Sequence, residues 1–215
     1  MHTYSTDNDK RPTVYGLLGL VAYLLVLGIG WATSLLASGL PAITGGTVSW
    51  GLAFAALSAA FIRFGWKTPI ARWTGASRVP DFSGEWEGYI KTTYGGQIDD
   101  ESLHESNDPE AEMQRVAASL YIDQTWRKIS VHLSTADSES DSTGATVLTK
   151  EGRWPSLTYQ YENEPDVDSE DSMMAHDGTA DLSLKRDGEQ DVLEGFYYTG
   201  PGRENYGEMY FERQS

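Results

Sequence analysis

Leu157, Tyr159, Tyr161 and Asn163 alternate with Thr158, Gln160 and Glu162. The run Gln124-Thr125-Trp126 follows Leu120 and Ile122, which puts Gln124 and Trp126 on their face. In a strand, residues two apart point to one side. The opposite faces carry charge, so these faces look inward. A closed core would fill them with Val, Ile and Leu. Here each row ends in rings and carboxamides, as in a cavity where aromatic groups supply area and a few polar groups fix orientation. Downstream, Arg203 stands in a Gly/Pro-rich turn. A guanidinium fork in such a turn suits an oxyanion. Any one of these rings is equally a core residue with its polar tip satisfied. Together they read as a pocket.

Other chemistries find no support. Cysteine is absent, which excludes disulfides and thiolate metal sites. The four histidines, His2, His104, His132 and His176, are scattered, and no HExxH, Walker loop or GxSxG occurs. The acid pairs Asp99/Asp100 and Glu170/Asp171 fall in polar stretches and read as solvated charge. The chain is expected to hold no metal and no cofactor and not to be an enzyme.

The elements that must position these residues are strands. Alternation or β-rich composition marks 84–91, 120–126, 129–133, 144–149, 157–163, 182–184, 192–199 and 206–213, with turn signals between them. The acidic stretches 95–112 and 164–172 are too poor in apolar residues to bury anything and read as loops. Consecutive antiparallel strands with short turns favour an up-and-down barrel or a sandwich. The ring-lined inward faces favour an eight-stranded barrel, whose interior holds side chains or one small ligand.

Ahead of this all-β domain, no Asp, Glu, Lys, Arg or His occurs from Pro12 to Ile62. Two apolar segments, Val14–Leu36 and Thr47–Phe64, flank a Gly/Pro-rich turn. A bilayer core of roughly 30 Å takes about 20 apolar residues to cross, so the expectation is a transmembrane helical hairpin. Lys10 and Arg11 precede it; Arg63, Lys67, Arg72 and Arg78 follow it. Basic flanks stay cytoplasmic, which places a multi-pass protein in the cytoplasmic membrane with both termini inside. A cleaved signal peptide is the alternative. Gly51, Ala55 and Ala59 form a small-residue stripe that lets helices approach closely, either the first span or another protomer. The expected organisation is a disordered 1–12, a hairpin at 13–64, a linker at 65–80 and a barrel at 81–215.

Charge is divided along the same line. Residues 1–80 hold six Lys/Arg and two Asp/Glu, a net of +4; residues 81–215 hold ten and thirty, a net of −20. So acidic a domain has no broad basic face for a DNA or RNA polymer. Dense carboxylate surfaces occur in proteins adapted to high salt, which screens their self-repulsion.

Two N-terminal spans followed by PDFSGEWEG, LYIDQTWRKISVHLSTADSES, LTYQYENEP, HDGTADLSL, LEGFYYTG and YGEMYFER resemble the two-transmembrane, β-strand-rich effectors of CBASS anti-phage operons. The resemblance rests on the order and spacing of the Gln124, Tyr159, His176 and Gly195 motifs in this membrane context. It departs at Asp177, where the family usually has a basic residue beside the His. It implies a lipocalin-like barrel that binds a cyclic dinucleotide, then homo-oligomerises and breaches the membrane, killing the infected cell. Under it, Trp126, Tyr159 and Tyr161 offer faces on which bases stack, Gln124 and Asn163 read base edges, and Arg203 and His176 face phosphate. Thr125, Tyr197 and Thr199 complete the ligand-binding set. A membrane-tethered lipocalin-like carrier of a small apolar ligand is the competing function.

Overall fold

The computed structural model describes residues 1–7, 9–37, 49–95, 98, 100–149, 154–165, 175–200 and 205–214. It separates into two compact units, Asp9–Arg78 and a unit joining Met1–Asn8 to Val79–Ser215.

The first unit is helical. α1 (Arg11–Ala37) has 27 residues, about 40 Å at ~1.5 Å per residue, enough to cross a bilayer. Its apolar residues run all round the axis, leaving Leu17, Leu20, Leu24, Leu27 and Trp31 exposed; in water such a helix would be unfavourable. α2 (Trp50–Arg63) has 14 residues, about 21 Å by the same rise. Thr47 and Val48 of the expected Thr47–Phe64 segment lie outside the described residues. Ser49 caps α2 through its hydroxyl, which accepts from Leu52 N at 3.2 Å, and Phe64 ends it. Among the described residues, α1 is the one helix long and apolar enough to span, and α2 is a shorter apolar helix. α2 packs on α1 through its bulky side: Trp50 Nε1 donates to Gly19 O at 3.0 Å, and Trp50 stacks on Phe54, with ring centroids 5.4 Å apart. The stripe of Gly51, Ala55 and Ala59 is exposed, and a Cβ at Gly51 would meet nothing within 4 Å. The small residues therefore do not seat α1. In the linker, α3 (Pro69–Trp73) is capped by Thr68.

Among the described residues the second unit is a sheet of nine strands: β1 (His2–Thr6), β2 (Gly84–Thr92), β3 (Gln114–Gln124), β4 (Lys128–Ser134), β5 (Ser138–Leu148), β6 (Ser156–Pro165), β7 (His176–Asp187), β8 (Gln190–Thr199) and β9 (Tyr206–Arg213). From β2 to β9 each strand pairs antiparallel with the next, β2 also pairs with β9, and the closed barrel is completed between β4 and β5. That last seam is short, joining His132–Ser134 to Glu139–Asp141. Beyond it, a register shift between Ser142 and Gly144 bends β5 away.

β1 fills the gap that follows. It runs antiparallel to β4 at His2 and Thr3 and parallel to β5 at Tyr4, Ser5 and Thr6. Ser142 Oγ accepts from Val131 N at 2.8 Å and bonds the His2 ring at 2.9 Å where the strands part. Tyr4 is buried, and its hydroxyl donates to Trp126 O at 2.9 Å. The expectation of a disordered 1–12 is thus corrected for His2–Thr6. Their polar composition concealed a strand whose backbone satisfies two otherwise open edges.

Half of the barrel interior is solid. Trp86, Leu120, Ile122, Ile129, Val131, Val147, Leu157, Leu182, Leu193 and Phe211 are fully buried. The segment before β2 closes this end: Phe82 N donates to Gln124 Oε1 at 2.8 Å, and Gln124 Nε2 donates to Pro80 O at 3.1 Å. Arg213 lies over the Trp86 ring at 4.3 Å and donates to Ser83 O and Asp81 O.

Candidate functional site

At the opposite end, β2, β4, β6 and β8 finish and β3, β5, β7 and β9 begin. There the inward rows change from aliphatic to polar, and a cavity opens. Its volume is about 120 Å³, and it opens to solvent. Its floor is Ile90, Val116, Leu133 and Met209. Its walls carry Tyr159 and Tyr161 from β6 and Tyr197 from β8.

Two glycines make room for these rings. Gly178 lies across from Tyr161, and a Cβ there would stand 2.2 Å from the Tyr161 ring carbon Cζ. Gly207 lies across from Tyr197, and a Cβ there would stand 2.4 Å from Cε1 of that ring. The Tyr161 ring is 6.1 Å from that of Tyr159 and 6.4 Å from the His176 imidazole, which it meets nearly edge-on at 80°. Burial, and then the neighbouring Tyr161, push the Tyr159 phenol well above its ordinary value of 10. Tyr159 therefore stays a neutral hydroxyl at any physiological pH.

The rim is polar. Ser140, Asn163 and His176 stand side by side on β5, β6 and β7, since Asn163 is in register with both of the others. Thr199 Oγ1 donates to Asn205 O at 2.9 Å and accepts from Asn205 N at 3.1 Å, holding the ends of β8 and β9 together. In the β4–β5 turn, Thr135 Oγ1 accepts from Ser138 N at 3.1 Å, and Asp137 joins the lining. No Lys or Arg lines the cavity among the described residues. His176 is the group there able to carry positive charge, and Asp137 supplies a carboxylate.

Of the residues singled out by sequence, Tyr159, Tyr161, Asn163, His176, Tyr197 and Thr199 come together here. Gln124, Thr125 and Trp126 do not. Gln124 and Trp126 are inward and buried, as alternation requires. They lie at the closed end because β3 runs away from the mouth while β6 runs toward it. Gln124 bonds the backbone of Phe82 and Pro80. Thr125 Oγ1 accepts from Lys128 N at 3.0 Å to shape the β3–β4 turn. Trp126 is core, 2 % exposed. Arg203 lies outside the described residues.

Sequence reasoning missed Thr92, Thr135, Asp137, Ser138, Ser140 and Asn205. The signal that finds them is direction. Once the strands are taken as an antiparallel series, the last residues of even-numbered strands and the first of odd-numbered ones share a rim. Ile98 of the acidic stretch also lines the cavity, and Leu103 bridges to Val116, so these two apolar residues pack although the stretch is expected from its composition to bury nothing.

Residues 77–213, which contain this cavity, match the family described as Cap15, cyclic dinucleotide receptor domain. The chain is also similar to a curated protein of Yersinia aleksiciae, CD-NTase-associated protein 15. The two are 31 % identical over 137 residues, covering 63 % of this chain and 56 % of that protein. The match thus spans little more than half the length of the relative.

Proposed function

The chain belongs to the Cap15 cyclic dinucleotide receptor family, and from that premise we propose that its barrel binds a cyclic dinucleotide in the open-end cavity as the sensor of a CBASS anti-phage effector. The observation that carries this reading is three tyrosine rings and a polar rim gathered at one end of an otherwise solid barrel. Base–aromatic stacking contributes about 1–3 kcal/mol per base, and Tyr159, Tyr161 and Tyr197 offer rings. Asn163, Thr199 and His176 supply donors and acceptors for base edges and phosphates. Arg203 follows Thr199 by four residues and precedes Asn205 by two, and both of those line the cavity; its guanidinium is assigned to phosphate.

The output belongs to the helical unit. α1 and α2 together form the membrane anchor, a hairpin that returns the chain to its side of entry, since β1 ahead of α1 pairs with β4 and β5 beyond α2; the basic flanks favour the cytoplasmic side for both chain ends. Ligand binding drives homo-oligomerisation, in which the exposed stripe of Gly51, Ala55 and Ala59 packs between protomers, and the assembly disrupts the membrane. Calorimetry of the full chain in detergent against a panel of cyclic dinucleotides tests the reading. At least one ligand is expected to bind, and Tyr161→Ala or Tyr197→Ala to weaken it at least about tenfold, the loss of one stacked base. Binding of fatty acids in place of every cyclic dinucleotide would establish the apolar carrier instead.

A further inference from the structure

Asp137 is the anomaly of the cavity. It is among the residues lining a space whose proposed guest carries two phosphate charges, and like charges at close range repel. The turn holds it firmly: Asp137 N donates to Thr135 Oγ1 at 3.4 Å and Ser138 N to the same oxygen at 3.1 Å. The residue is half-buried, and among the described residues its side chain has no hydrogen bond or ion pair. A carboxylate without a protein partner at a cavity rim is open to a ligand that donates hydrogen bonds to it.

Phosphate cannot donate, whereas a base edge and a ribose 2′-hydroxyl can; of the two, only a base edge offers a pair of donors to both carboxylate oxygens. Two carboxylate oxygens accept two parallel N–H bonds. On guanine, N1–H and the N2 amine stand side by side and match that fork. Adenine and cytosine place one amine beside an acceptor nitrogen, and uracil places one N–H between two carbonyls. Each of these sets an acceptor against an acceptor. We propose that Asp137 is a specificity residue and that the cyclic dinucleotide recognised here contains guanine. The inference rests on the proposed function and sharpens it to one class of ligand.

The test uses the full chain in detergent with four probes: cyclic di-GMP, its inosine analogue, cyclic di-AMP and cyclic di-UMP. Guanine is expected to bind best, about ten- to a hundredfold above the inosine form, which lacks the N2 amine. Asp137→Asn replaces one acceptor with a donor and is expected to erase that preference with melting temperature unchanged; Asp137→Glu retains part of it. Guanine binding no tighter than adenine or uracil, or a preference untouched by Asp137→Asn, overturns this inference alone. Absence of binding by every probe overturns it together with the reading it rests on.

Discussion

Tyr161 stands in the cavity wall because Gly178 has no side chain, and this pairing makes a sharp prediction. Gly178→Ala forces the Tyr161 ring aside and also crowds Tyr198 O, 2.7 Å from the new carbon. The expected result is a stability loss of about 1–3 kcal/mol, as in overpacked sites, with a loss of ligand affinity that Ala substitution at an outward position does not cause. Denaturant titration and calorimetry read the two effects. Trp126 predicts the reverse. It is buried at the closed end, so Trp126→Ala is expected to cost about 3–5 kcal/mol of stability while the folded fraction keeps its affinity. Gln124→Ala leaves Phe82 N without its acceptor, a loss of about 1–3 kcal/mol, again with affinity retained. A drop in affinity at constant stability for either residue would return it to the site.

β1 is the element whose role depends most on its surroundings. Its five residues make no core of their own, yet they close a seam that β4 and β5 leave open. His2 bonds Ser142 there, and burial is the main cause that holds its ring below the ordinary value of 6.5. Unfolded His2 takes up a proton near that value while folded His2 resists it. Its contribution is therefore complete above pH 6.5, declines as pH falls below, and flattens once both states are protonated. Melts of the full chain between pH 7.5 and 5 should show this slope, and His2→Gln should remove that part of it. The helices carry a parallel lesson. An apolar count reaches across Ser49, whereas the hydroxyl cap starts α2 at Trp50.

Across the molecule, a net charge of −20 over residues 81–215 sets the barrel against itself. Salt shortens the reach of that repulsion, with a Debye length of about 10 Å at 0.1 M and about 3 Å at 1 M. The melting temperature of the full chain is expected to rise between 0.1 and 1 M KCl; a flat or falling profile would show that surface repulsion is not a governing term. The helical unit makes its own prediction. Ala55→Leu leaves α2 seated on α1, because the stripe faces away from Trp50 and Phe54, and is expected to block ligand-driven assembly without reducing affinity. Crosslinking with and without ligand checks this.

Much of this was legible before any coordinates. A charge-free run of this length dictates apolar helix, and period-two alternation dictates which side chains enter a sheet interior, because both follow from local geometry and the cost of burying charge. Tyr159, Tyr161 and Asn163 were found that way. Alternation assigns a face but carries no height along a barrel axis. Gln124 and Trp126 share the inward parity of the tyrosines and lie at the other end, because neighbouring strands run in opposite directions. Asp137 and Ser140 reach the rim, and His2–Thr6 becomes a strand, through pairings between residues far apart in the chain. Those pairings exist only once the sheet has closed, so tertiary structure alone decided which inward residues line the cavity and which fill the closed end.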